Sequence, residues 1–170
     1  VAAASDRYST LLEAMRRAVG DKAEVMYAKG CNVCYDAELE KNSTMFGREM
    51  RDNRPVDVMR DEALRIANEC DVIVAAMGEP SEMSGESSSR SELTILDAQK
   101  DLLMALKATG KPIVLLNFSG RATVMDWEVE NIPTILNVWF GGSEAADALC
   151  DVVFGDVAPR GKATGRTPPI

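Results

Sequence analysis

The densest run of chemically capable side chains in the sequence is GEPSEMSGESSSR, residues 78–90. It carries Glu79, Glu82 and Glu86, two glycines, a cluster of serines and Arg90. Carboxylates accept hydrogen bonds from sugar hydroxyls, and a protonated one can protonate a leaving oxygen. The glycines let backbone approach a ligand. Arg90 can clamp one of the glutamates, donate to a substrate oxygen, or close a structural salt bridge. The same composition also describes a solvated connection, so residue types alone leave acid/base chemistry and plain solvation both open.

The residues just before this run favour a site. Val72 to Met77 is an unbroken apolar stretch, the pattern of a strand buried on both faces of a parallel sheet. Gly78 stops it. Open α/β sheets place ligand chemistry beyond the carboxyl ends of their strands. An acidic loop at that place is the best site candidate in the chain.

The remaining elements build the sheet that would hold it. Periodicity predicts helices over 8–19, 55–69 and 97–109, a short helix or turn over 122–130, and a helix capped by Ser143. Asp97 is expected to cap the third of these. Strands are predicted over 23–28, 71–77, 112–118 and 134–140. Residues 29–54 are polar and aperiodic, which predicts a long loop. Strands alternating with helices imply an α/β fold, a three-layer α/β/α sandwich around a mostly parallel sheet.

Composition narrows the chemistry. The chain has 170 residues and a net charge of −8, which suits one domain and argues against a nucleic-acid or anionic-membrane surface. There is no histidine, which removes Ser-His triads and most zinc sites. No apolar run approaches the roughly 18 residues of a membrane span. Cys31 and Cys34 form a lone CxxC. It reads first as a pair of incidental thiols, then as a disulfide or a weak metal site; no metal site and no cofactor are expected. Trp127 and Trp139 are candidate sugar platforms, but core packing is the better reading of Trp139. Gly141-Gly142-Ser143 opens a helix and offers N–H groups to a phosphate. Arg121 follows a strand and a glycine, and either reaches an interface or caps the turn.

The blocks GEPSEMSGESSSR, LKATGKPIVLLNFSGR, WEVENIPTILNVWFGGSEAADAL and VVFGDVAPRGK, in this order, resemble the C-terminal α/β-sandwich domain of glycoside hydrolase family 3. The resemblance runs from about Thr10 to Lys162. It implies a flavodoxin-like sandwich over residues 1–170, with a catalytic (β/α)8 barrel absent from this chain and the first strand truncated. It implies a retaining exo-acting β-glucosidase acting on β-linked glucosides or oligosaccharides, periplasmic or secreted, with the barrel supplying an aspartate nucleophile. Counting back from Gly85-Glu86, the family's acid/base falls on Glu82, with Glu86 as runner-up. Glu79 orients the loop, and Glu79, Glu86, Ser87, Ser88 and Arg90 are expected to shape the sugar pocket. With the first strand missing, the segment 23–28 is expected to pair directly with 71–77 in a sheet of about four strands, and the isolated chain to self-associate. The rival readings are a non-catalytic carbohydrate-binding or interaction module of the same fold, and a flavodoxin-like nucleotide binder.

Overall fold

A computed structural model describes residues 8–43 and 51–160. Contacts group the described residues into two units, one built from residues 8–27 with 141–160, the other from 28–43 with 51–140.

The first unit is a helix pair. Thr10 starts α1 (Leu11–Val19) with a capping box: its N–H donates to Glu13 Oε2 at 2.8 Å, and Glu13 N–H donates back to Thr10 Oγ1. Gly20 ends the helix at φ +53°, where a side chain would be strained. Ala14 and Met15 are buried, and α1 packs on α6 (Ala145–Val153), which buries Ala146 and Cys150. Arg17 pairs with Asp147 across the two helices. Both side chains are half-exposed, so the pair adds little to stability. Ser143 does not cap α6; Glu144 holds the N-cap position and makes no side-chain capping bond. The predicted strand at 23–28 does not form. Propensity alone cannot make a strand, and this segment has no ladder partner among the described residues.

The second unit is organised by three parallel strands, β1 (Ile73–Gly78), β2 (Ile113–Phe118) and β3 (Thr134–Asn137), in that order. Ile73 lies opposite Ile113 and Gly78 opposite Phe118, while Asn117 lies opposite Asn137. The fold is thus α/β with a parallel sheet, as expected, but the described residues supply three strands and not four. Central β2 buries Ile113, Leu115, Leu116 and Asn117. β1 differs from its expected two-sided burial: Ala75 and Met77 are buried, but Ala76 is exposed. The last strand is shorter than predicted because Trp139 takes φ +57° and turns the chain away. Trp139 is 45 % exposed, which overturns its core assignment.

Helices α3 (Val56–Glu69) and α4 (Asp97–Ala108) cover the sheet's apolar side chains. Four-residue spacing gives α3 its buried row of Met59, Ala63 and Ala67. Leu102, Leu103 and Leu106 bury the matching stripe of α4. Leu103 and Leu115 are wholly inaccessible, and the core closes around them with Ala63, Met77 and Ile113. Asp97 is the first helical residue of α4 and not its cap. Its carboxylate accepts from the N–H groups of Ala98 at 2.7 Å and Tyr35 at 3.1 Å.

The stretch predicted as a long loop contains a short helix, α2 (Ala37–Asn42). Asp36 caps it by accepting from the N–H groups of Glu38 and Leu39. The fully buried Glu40 carboxylate pairs with Arg51, whose guanidinium also donates to the carbonyls of Cys34 and Tyr35. One ion pair therefore ties the two sides of this excursion together; residues 44–50 lie outside the described residues. Helix α5 (Asp126–Asn131) connects β2 to β3.

Candidate active site

The site loop starts where β1 comes hard against β2. Gly78 has φ +151°, and a Cβ there would sit 1.8 Å from the carbonyl oxygen of Phe118. Only glycine permits this approach. Glu79 N–H donates to that same carbonyl at 2.9 Å, which carries the ladder one residue past the strand and turns the Glu79 side chain inward.

The Glu79 carboxylate is the meeting point of the loops after β1 and β2. Ser84 Oγ donates to Oε1, as does Gly120 N–H at 3.3 Å, and Ser119 Oγ lies 2.9 Å away. Arg90 Nη1 donates to Oε2 at 2.9 Å, and Arg121 Nε stands 3.5 Å from Oε1. Burial pushes the Glu79 carboxyl up, but hydrogen bonds from Ser84, Arg90 and Ser119 and the charge of Arg121 outweigh it and hold the group below the ordinary carboxylate range. Two guanidinium groups thus share one buried carboxylate.

The loop itself contains a 3-10 turn, Ser81–Ser84. The sequence offers it few apolar side chains, yet Met83 is buried with Cys34 and Leu96 in a small satellite core. Glu82, one position before Met83, is half-buried. Its backbone is held at two successive carbonyls. Ser88 Oγ donates to the Glu82 carbonyl, and Arg121 Nη2 donates to the Met83 carbonyl. The Glu82 side chain folds over Gly85: an added Cβ there would lie 3.8 Å from Oε2. Among the described residues, neither Glu82 nor Glu86 places its carboxylate in a hydrogen bond or ion pair. Glu86 and Ser87 are exposed, and Ser88 is half-buried.

Arg90 pairs with Glu79, which fits its clamp and its salt-bridge readings alike. Besides Glu79 it binds the carbonyl of Thr94 through Nη2 at 3.0 Å. Thr94 in turn forms a parallel bridge with Val124, so the far end of the loop is tied to the segment after β2. Gly78, Glu79, Arg90, Thr94, Asn117 and Ser119 line a recess of only about 10 Å³, room for roughly one water. That is below the roughly 300–1,000 Å³ of a complete small-molecule site. The buried Asn117 amide reaches Asn137 Oδ1 at 3.1 Å and Thr123 Oγ1 at 3.3 Å, which fixes the floor.

An unpartnered carboxylate can accept a hydrogen bond from a ligand or exchange a proton with it. A carboxylate with no protein partner, on a backbone held from behind, is available to an incoming ligand. Sequence reasoning found Glu79, Glu82, Glu86 and Arg90 but missed Ser84 and Ser119 as partners of Glu79, and missed Gln99, which donates to and accepts from the backbone of Gly78. The serines had a weak signal in their position just beyond strands. Gln99 had none, since it lies inside a helix.

The other motifs resolve to structure. All four cysteines are free thiols. Burial pushes Cys31 and Cys34 up to about 11 each. Among the described residues no group of Cys, Asp and Glu could hold a metal ion, and no helix is long and apolar enough to cross a membrane. Trp127 packs against the core, with Lys100 Nζ 5.0 Å from its ring centroid. Glu144 at the start of α6 sets a negative charge where a phosphate would have to bind.

Residues 2–169 match the family described as the glycosyl hydrolase family 3 C-terminal domain. A periplasmic β-glucosidase of Salmonella typhimurium is 42 % identical over 90 % of the chain. A β-xylosidase of Formosa agariphila is 34 % identical over 92 % of it. The chain covers 20 % and 19 % of these two proteins, about a fifth of their length. Among solved structures, the family 3 β-glucosidase of Bifidobacterium adolescentis superposes with a TM-score of 0.69 at 25 % identity, over 88 % of this chain and 19 % of that one.

Proposed function

The chain belongs to the glycosyl hydrolase family 3 C-terminal domains, and on that premise we propose that it is the acid/base half of a glycosidase site whose nucleophile lies in another domain of a longer protein. The observation that carries this is the Glu82 carboxylate: half-buried, unpartnered among the described residues, and mounted on a backbone held at its own carbonyl and at that of Met83.

In this reading the partner is a (β/α)8 barrel of the same parent chain. Its aspartate attacks the anomeric carbon while Glu82 gives its proton to the glycosidic oxygen, so the C–O bond breaks and the aglycone leaves as an alcohol. Glu82, now ionised, takes a proton from water as that water attacks the glycosyl-enzyme. The sugar leaves with its configuration retained. The substrate class is terminal β-D-glucosyl or similar residues of glucosides and oligosaccharides, in line with the named relatives. The resemblance to a periplasmic enzyme supports a periplasmic or secreted parent. Glu86, Ser87 and Ser88 border the sugar, with Glu86 the second choice for the acid/base role.

The test is kinetic. In the full-length parent, Glu82→Gln lowers turnover of substrates with poor leaving groups by roughly 10²–10⁴-fold, the usual worth of general acid/base catalysis. Activated aryl β-glucosides, which need little protonation, lose much less in their glycosylation step. The same pattern in Glu86→Gln and not in Glu82→Gln would reassign the role.

A further inference from the structure

We infer that Glu79, bracketed by Arg90 and Arg121, is a positioning residue for the acid/base: it sets where Glu82 stands and not merely whether the domain folds. This rests on the reading of Glu82 given above. Three observations carry it. The carboxylate joins both loops at the carboxyl ends of the two adjoining strands. It reaches Ser84 and Arg90 on the Glu82 side, and Ser119, Gly120 and Arg121 on the other. Arg121 completes the connection, since its guanidinium spans from Glu79 to the carbonyl of Met83, the residue next to Glu82. Ser84 makes the second link, one turn residue further on.

The arrangement is more than a stability clamp. A buried pair serves stability as one carboxylate with one cation. Here Glu79 faces two cations and three neutral donors, all drawn from the segments 78–90 and 119–121. Rotating or discharging that carboxylate moves the Met83 carbonyl through Arg121 and the Ser84 hydroxyl directly. Glu82 sits in the same 3-10 turn, Ser81–Ser84, as both of these contacts. A displacement of about 1 Å at a reacting group is enough to cost on the order of 10²-fold in rate.

The experiment uses the full-length parent and compares Glu79→Gln, Ser84→Ala and Glu82→Gln on a series of aryl β-glucosides of graded leaving-group ability, with active enzyme counted by burst titration. A folding defect lowers the active fraction and cuts every substrate equally. A positioning defect raises the dependence on leaving group in the fraction that remains active. Glu79→Gln is expected to lose about 10-fold more on the poorest leaving group than on the best, and Ser84→Ala to do so more weakly, both below Glu82→Gln. Equal losses across the series in Glu79→Gln and Ser84→Ala, with Glu82→Gln steepened, would overturn the positioning role and leave the acid/base assignment standing. A flat series for Glu82→Gln would instead overturn the assignment on which it rests. If Glu79→Gln does not fold, Ser84→Ala decides alone: it removes one hydroxyl at a half-buried site, and an unchanged series there refutes the inference.

Discussion

Gln99 acts as a strand for the single residue Gly78: Gly78 N–H donates to Gln99 Oε1 at 2.7 Å, and Gln99 Nε2 donates to Gly78 O at 2.8 Å. The same amide also donates to the carbonyl of Val33 at 2.8 Å. A helix side chain therefore pairs both backbone groups at the outer edge of β1, where the site loop begins. Gln99→Leu removes every one of these partners while keeping the bulk. We expect a loss of about 1–3 kcal/mol, the cost of leaving buried polar groups unmet, read as a lowered urea midpoint. An unchanged midpoint would mean that water replaces the amide at no cost.

Gly78 itself should tolerate nothing larger. An alanine Cβ would meet the Phe118 carbonyl at 1.8 Å, at a φ that side chains rarely adopt. Gly78→Ala should exceed about 3 kcal/mol of destabilisation, among the large values for single substitutions. Gly110, also at positive φ but with no atom within 4 Å of its would-be Cβ, provides the control: Gly110→Ala should cost about 1 kcal/mol, the backbone term without a clash. Equal losses at the two positions, measured by denaturant melts, would refute the close-approach argument.

Glu79 should make stability fall in acid. Its folded pKa lies below the ordinary value, so its contribution is fully present above the unfolded pKa of about 4.3 and is lost as pH falls through the folded value. The urea midpoint should therefore drop below about pH 4, and Glu79→Gln should flatten that part of the curve. A mutant curve parallel to the wild type would show that other carboxylates carry the effect.

The CxxC thiols should be sluggish. At pH 8 a thiol held at about 11 is only ~0.1 % thiolate. Cys31 and Cys34 should alkylate on the order of 10²-fold more slowly than a free cysteine, with rates that climb until the pH reaches the raised values. Fast labelling of both at neutral pH would contradict their burial.

Much of this was legible in the sequence, and the reasons are local. The α3 and α4 stripes, the β1 and β2 runs, the Gly20 terminus and the acidic loop all announce themselves through spacing within one element. What failed depended on partners elsewhere. The segment 23–28 has strand composition but no ladder. Asp36 starts a helix that lacks an apolar stripe, so periodicity passed over it. Trp139 sits in an apolar run, yet its backbone turns it to solvent. At the site, the glutamates were visible as residue types. The burial of Glu79 was not, because it depends on Ser119, Gly120 and Arg121, some forty residues further along the chain.

The measurement that bears most directly on the central claim is azide rescue of Glu82→Ala in the full-length parent, assayed with an activated aryl β-glucoside. Such a substrate forms the glycosyl-enzyme without much help from an acid, so the missing base step should limit turnover. Azide needs no general base to attack. Added azide should restore the rate and yield a β-glycosyl azide, the configuration left by two successive inversions. No rescue in Glu82→Ala, with rescue and β-glycosyl azide in Glu86→Ala, would contradict that claim.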